Sequence, residues 1–371
     1  MSIGHNEDDV IQLKINYIKL MEQYPIFPDL KSKQRGILHA LLIEKDYLTQ
    51  EQLMVLTGYS RKVVSETLTE LTEDVTIKYP VLKTRRPGDT KNYYFCPLNF
   101  EQIVRSLLIS YLKTSRDIHF FPDLVERLKA LTPHDDDISH FRSVLSFYLI
   151  VNEYLRIFME KTTEENIIKY FKNPTIKPEF LESIQDFLPT TEVEKARKTQ
   201  ITVEKTKDTL QQIRRDLISK MQEYIGGKKE TIIAMLLYLE RKAVNQDYMM
   251  RITGYGRSTI SESLTVLKKA KIVKEIKKPG DRKKYYKPAL SLTEFTFLRI
   301  IKSQQTVYQL KEIIKTKFLS DLENLEDNEV EKNKLRYFLK ENIRSYELLL
   351  SYLNYVYSFF SEIKDKINLN S

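Results

Sequence analysis

Thr253–Leu267 reads TGYGRSTISESLTVL, and Thr57–Leu71 reads TGYSRKVVSETLTEL. Nine of these fifteen positions are identical, at an offset of 196 residues. A second match follows each stretch: Lys278–Tyr286 is KPGDRKKYY and Arg86–Tyr94 is RPGDTKNYY, at an offset of 192. The first copy therefore carries about four extra residues, which we place in Asp74–Pro80. Weaker likenesses flank these: Met21–Tyr24 (MEQY) with Met221–Tyr224 (MQEY), and Phe147–Glu160 with Tyr346–Glu362. All of them keep the same order, the signature of a duplicated unit. The 371 residues read as one unit of about 185 written twice.

Helical periodicity dominates each unit. In the first, Val10–Gln23 carries Ile11, Ile15, Ile18 and Leu20 or Met21 on an apolar side and ends at Pro25 and Pro28. Lys33–Glu44 is a second helix. A third opens on Thr49 as N-cap and closes at Gly58. A fourth opens on Ser60 and reaches Leu71, with Val64, Leu68 and Leu71 inward and Arg61, Lys62, Ser65, Glu66 and Thr69 outward. Two short helices about a glycine-containing turn predict a helix-turn-helix. Val81–Arg86 and Asn92–Cys96 then flank Pro87-Gly88-Asp89-Thr90, a hairpin signal. Its tip holds Arg85, Arg86 and Lys91; the second tip holds Lys277, Lys278, Arg282, Lys283 and Lys284. A helix-turn-helix followed by a basic hairpin predicts a winged helix. One tyrosine of each pair, Tyr93/Tyr94 and Tyr285/Tyr286, should face the core.

After each hairpin come amphipathic helices: Glu101–Lys113, a segment near Pro122–Leu131 and Ile138–Lys161, then Leu292–Phe318 and Asn328–Ile367. Their aromatic residues (Phe147, Tyr148, Tyr154, Phe158, Tyr346, Tyr352, Tyr355, Tyr357, Phe359, Phe360) are expected in the core. Between the units, Glu192–Lys207 reads as a linker or exposed helix. The second unit's first helix resumes with Leu210, Ile213, Leu217, Met221 and Tyr224. The expected domains are 1–30, an N-terminal helix; 31–100, the first winged helix-turn-helix; 101–172, a helical packing region; 173–207, a linker; 208–225, the first helix of unit two; 226–291, the second winged helix-turn-helix; and 292–371, a C-terminal helical packing region. The expected class is mainly α with small β-hairpin wings and a helical dimerisation-type body.

Charge is concentrated. The chain has 60 basic and 51 acidic residues, net +9. Lys31–Phe100 has 11 basic and 8 acidic residues, and Gly226–Thr293 has 16 and 6, leaving the remainder at −4. Positive charge at a hairpin tip beside an exposed helix suits phosphate contact. A single cysteine, Cys96, excludes a disulfide framework or a multi-cysteine zinc site and fits a reducing cytoplasm. No apolar run approaches the ~20 residues of a membrane span, and Met1–Asp9 lacks an export pattern. We expect a cytoplasmic protein without membrane contact.

The pattern resembles the MarR-like winged-helix regulators, most closely their GbsR-type branch. Thr57-Gly58-Tyr59-Ser60-Arg61 through Leu71 and Lys278-Pro279-Gly280-Asp281-Arg282-Lys283-Lys284-Tyr285-Tyr286 carry the likeness. It implies a transcriptional regulator on double-stranded DNA, with a recognition helix in the major groove and a wing along the backbone or minor groove. It also implies homodimers built on terminal helices, and a small-molecule effector. Two fused units suggest a monomeric pseudo-dimer reading an asymmetric site, or a homodimer. By this resemblance Arg61, Lys62, Ser65 and Thr69 face DNA in the first copy, and Arg257, Ser258, Thr259, Ser261 and Thr265 in the second. Arg85, Arg86, Lys91, Lys277, Lys278, Arg282, Lys283 and Lys284 contact DNA from the wings.

Other chemistry is weaker. His134-Asp135-Asp136-Asp137 with His140 reads as an acidic helix start more readily than a metal site. Gly226-Gly227-Lys228-Lys229 lacks the upstream glycine of a phosphate loop. Cys96 reads as a buried small hydrophobe. No nucleophile–base pair or paired acids stand out, so neither enzyme activity nor a cofactor is expected. The competing reading is a winged-helix protein–protein scaffold in a transcription or membrane-remodelling complex.

Overall fold

A computed structural model describes residues 6–24, 30–73, 81–116, 127, 137–145, 203–224, 229–325 and 329–364. These are mainly helical, with two small antiparallel sheets. No described helix is long and apolar enough to cross a membrane. The segment Pro122–Leu131 apart from Arg127, the metal candidates His134–Asp136, residues 146–161 and the aromatics among them, and Gly226–Lys228 lie outside the described residues.

In the first repeat α1 spans Asn6–Gln23, α2 Ser32–Glu44, α3 Gln50–Thr57 and α4 Arg61–Glu73. The ends of α3 follow from its caps. Thr49 Oγ1 accepts from the Gln52 amide at 3.3 Å, and Gln52 Oε1 accepts from the Thr49 amide at 2.8 Å. At the other end Gly58 takes φ 71°, a left-handed turn that side chains disfavour. Thr57 ties helix to turn: its hydroxyl donates to the Leu53 carbonyl at 2.6 Å and accepts from the Tyr59 amide at 3.3 Å. The second repeat does the same, with Thr253 on Met249 at 2.8 Å and on Tyr255 at 3.2 Å, and Gly254 at φ 73°. The repeated Thr-Gly-Tyr is thus a helix stop and turn. Val64, Leu68 and Leu71 are buried, as their spacing predicts, and Thr67 joins them.

Strands β1 (Leu82–Arg85) and β2 (Asn92–Phe95) pair antiparallel, with Leu48 bridging Tyr94 at the other edge of β2. Helix α5 (Phe100–Arg116) follows. The second repeat supplies α6 (Val203–Tyr224), α7 (Lys229–Leu239), β3 (Val244–Asn245), α8 (Gln246–Thr253) and α9 (Arg257–Lys269). Then come β4 (Val273–Lys277), β5 (Lys284–Pro288) and α10 (Leu292–Ile313), a π turn at Ile314–Phe318, α11 (Leu319–Glu323) and α12 (Glu329–Lys364). The sheet order is β3-β5-β4, and β3 occupies the place of the Leu48 bridge. Helix α6 begins at Val203, inside the stretch expected to link the repeats. The helix expected over Leu292–Phe318 carries a π turn that keeps Ile314 and Phe318 buried. Tyr94 and Tyr286 are buried while Tyr93 and Tyr285 are only half-buried. Tyr346, Tyr352, Tyr355, Phe359 and Phe360 are buried; Tyr357, expected among them, is 38% exposed.

The described residues form two compact units that cut across the repeats. Of these residues, one unit takes 6–24, 30–73, 81–111, 301–325 and 329–356; the other takes 112–116, 127, 137–145, 203–224, 229–300 and 357–364. Each joins the hairpin segment of one repeat to helices following the hairpin of the other. In the first unit Lys14, almost fully buried, pairs with Glu44 at 2.7 Å and Glu331 of α12 at 2.8 Å. In the second, Arg214 at the matching place pairs with Glu240 at 3.0 Å and lies over the Phe141 ring at 5.6 Å. Tyr248 donates to Glu240 at 2.5 Å. Burial raises the Glu240 carboxyl above its usual range, against the pull of Arg214. Paired and hydrogen-bonded, such charges tolerate burial that an isolated ion could not.

Candidate nucleic-acid interface

In each repeat one helix and one hairpin present the outward residues. On α4 Arg61, Lys62, Ser65 and Thr69 are all exposed; on α9 Arg257, Ser258, Ser261 and Thr265 are exposed and Thr259 is half-buried. The Thr265 hydroxyl donates to the Ser261 carbonyl of its own helix at 2.8 Å. Arg85, Arg86, Lys91, Lys277, Lys278, Arg282, Lys283 and Lys284 are all exposed as well.

The hairpin tips are built alike. Asp281 donates its amide to the Lys278 carbonyl at 3.1 Å across Pro279-Gly280, and Asp89 does so to Arg86 at 3.1 Å across Pro87-Gly88. Gly280 and Gly88 sit at φ 77° and 80°, as the third residue of a type II turn requires. The aspartate then locks the turn. Asp281 accepts from the Lys283 amide at 2.8 Å and the Tyr285 hydroxyl at 2.7 Å; Asp89 accepts from the Lys91 amide at 2.8 Å and the Tyr93 hydroxyl at 2.5 Å. The Lys283 amide and Tyr285 hydroxyl hold the Asp281 carboxyl below the usual carboxylate range. A cation rests on each outward tyrosine: Lys278 3.8 Å from the Tyr285 ring centre, Arg86 4.4 Å from that of Tyr93. The PGD-x-K-x-Y pattern thus fixes a rigid tip that displays its cations.

A carboxylate that sequence reasoning missed ties helix to hairpin. Asp247, near the start of α8, pairs with Arg257 of α9 at 2.7 Å and with Lys283 of the hairpin at 3.1 Å. The bond to Asp247 raises the Lys283 ammonium above its ordinary value. Glu51 holds the matching place in the first repeat, 3.8 Å from Arg61. Its own backbone amide and the Thr49 hydroxyl depress its carboxyl, and the charges of Lys91 and Arg61 add to this. The sequence carries a signal for it: both repeats place an acid ten residues before that arginine.

The two hairpins differ where their strands face each other. In the second, Lys274 is directly opposite Lys287 and Lys277 is opposite Lys284. In the first, the same positions hold Leu82 opposite Phe95 and Arg85 opposite Asn92. Arg85 Nε donates to Asn92 Oδ1 at 2.9 Å, and the Tyr47 ring lies 4.3 Å from that of Phe95. Glu275 partly balances the second hairpin, reaching Lys268 at 3.0 Å and Lys284 at 3.2 Å. Cys96 is buried, which raises its thiol above the ordinary value. Neither the family models nor the curated proteins compared with the chain give a match.

Proposed function

We propose that the chain is a sequence-specific duplex-DNA-binding regulator with two winged helix-turn-helix modules of the MarR-like, GbsR-type kind. Helices α4 and α9 are its recognition helices, and the two hairpins are its wings. The observation that carries this reading is the pair of opposed lysines in the second hairpin, Lys274 with Lys287 and Lys277 with Lys284. Like charges directly opposite cost stability across a strand pair. The pairs lie an odd number of residues apart, so they project from opposite faces of the hairpin; phosphates on either side of it replace that repulsion with attraction and counterion release. The polar outward face of α9 beside them supplies side chains for base edges. Both recognition helices belong to one chain, which supports an intramolecular pseudo-dimer on an asymmetric site.

A second reading applies to the first repeat alone. Its hairpin replaces one lysine pair with Leu82 and Phe95, and Leu82 and Tyr47 are 46% and 39% exposed. That face supports a protein contact in place of a phosphate contact, so the second module grips DNA and the first orients or recruits.

Equilibrium binding of the full chain to labelled random-sequence duplex at low salt tests the proposal. Binding that weakens on adding salt, and on replacing Lys283 or Lys284 by alanine, supports it. No detectable binding favours the scaffold reading.

A further inference from the structure

Arg257 and Lys283 come from different elements, one opening the exposed helix α9 and one leaving the hairpin turn. Both reach the same carboxylate, Asp247, at 2.7 and 3.1 Å. All three side chains are about half exposed or more, so the pairs contribute little to stability. An acid at this spot nonetheless sits in the middle of the proposed polyanion-binding surface, and Glu51 repeats the placement beside Arg61. A carboxylate there opposes the charge that general DNA attraction would favour.

The two kinds of DNA contact respond to it differently. A phosphate carries a full negative charge, so it meets repulsion from Asp247 and must compete for cations already paired. A base edge offers neutral acceptors, such as guanine O6 and N7. An arginine held by a carboxylate on one side keeps N–H groups for such acceptors, because the guanidinium carries five donors in a fixed fork. The acid therefore penalises sequence-independent phosphate binding more than base reading. Discrimination is a difference of affinities, and weakening the unwanted complex raises it.

We propose that Asp247, and Glu51 in the first repeat, are specificity-determining residues: they suppress non-specific phosphate binding by Arg257, Lys283 and Arg61 and orient the two arginines for base contact. This rests on the duplex-binding reading above.

The test uses the full chain. A preferred duplex is first selected from random sequence with the wild-type protein. Affinities for that duplex and for a random-sequence duplex are then measured against salt for wild type, Asp247→Asn, Asp247→Glu and Glu51→Gln. Asp247→Asn should tighten random-duplex binding several-fold and steepen its salt slope by about one to two, for two released cations. The preferred duplex should gain less, so the ratio of the two affinities falls at least about threefold. Glu51→Gln should act the same way with a smaller effect, and Asp247→Glu should keep the wild-type ratio. Equal changes on both duplexes, or weaker binding to both with an unchanged slope, would overturn the inference and leave Asp247 a structural tie. Wild-type protein that binds no duplex at low salt overturns the duplex-binding reading itself, and the inference with it.

Discussion

The Tyr17 hydroxyl donates to Asn342 Oδ1 at 2.8 Å, joining two helices 325 residues apart in the chain. Both residues are fully buried, and Asn342 Nδ2 donates in turn to the Phe338 carbonyl at 2.7 Å. The Tyr17 ring meets Phe338 and Phe318 edge-on at 5.3 and 5.6 Å. This polar bond joins the Lys14–Glu331 ion pair in holding α12 against α1, set among aromatic rings. Replacing Asn342 by alanine removes the acceptor of this buried hydroxyl, along with packing volume. We expect a loss of about 2–4 kcal/mol, read as a lower denaturation midpoint with unchanged helicity before the transition.

Gly36 is needed for close approach. A Cβ there would overlap the Tyr59 hydroxyl and come within 2.9 Å of Glu22 Oε1. Gly36→Ala should destabilise by about 1–3 kcal/mol through overpacking. Tyr59→Phe removes the overlapping oxygen. In that background the cost of Gly36→Ala should shrink, and a double-mutant cycle measures the coupling.

His39 gives the first unit an acid-sensitive point. Burial, helped by the charge of Arg35, pushes its imidazole down to about 3. The unfolded chain takes up that proton near pH ~6.5. Between those values the unfolded state binds more protons, so this contribution is complete above pH ~6.5 and declines as pH falls toward 3. The slope is about 1.4 kcal/mol per pH unit inside that window. The second repeat has buried Met235 at the matching position. His39→Met should flatten stability against pH between about 6 and about 4, as followed by urea denaturation.

Much of the fold was legible because its signals are local. Thr49, Gly58 and Ser60 punctuate α3 and α4 by their own hydrogen bonds and dihedrals. The Pro-Gly-Asp turns lock through residues at most four positions away. Buried Thr67 and Ser263 were missed because a hydroxyl reads as outward until its surroundings are known. One of the two partners of Lys14 was out of reach for another reason: Glu331 lies 317 residues away, in the other repeat. Periodicity marks an apolar stripe but does not say which helix covers it, so the exchange of helices between repeats was hidden. In the candidate interface, the exposed residues of α4 and of the tips were readable one by one. Asp247 between Arg257 and Lys283, and the lysine pairs of the second hairpin, needed the strand register and the approach of helix to hairpin.

The same register predicts unequal halves. Exchanging Leu82 and Phe95 for lysine in the full chain rebuilds in the first hairpin the charge pair of the second. Non-specific duplex affinity should rise several-fold at low salt, with a salt slope steeper by about two. The reverse exchange, Lys274→Leu with Lys287→Phe, should lower both, as read by fluorescence anisotropy.

If the second hairpin binds a phosphate backbone, as proposed, the salt slope of duplex binding carries the signature of that contact. The logarithm of the binding constant should fall steeply with the logarithm of salt for the full chain. Replacing Lys274, Lys277, Lys284 or Lys287 singly by alanine should make that slope shallower by about 0.9 for each phosphate no longer neutralised. Replacing Arg85 or Arg86 should change it less. A chain that binds no duplex at low salt, or a slope indifferent to those four lysines, would rule out phosphate binding by this hairpin.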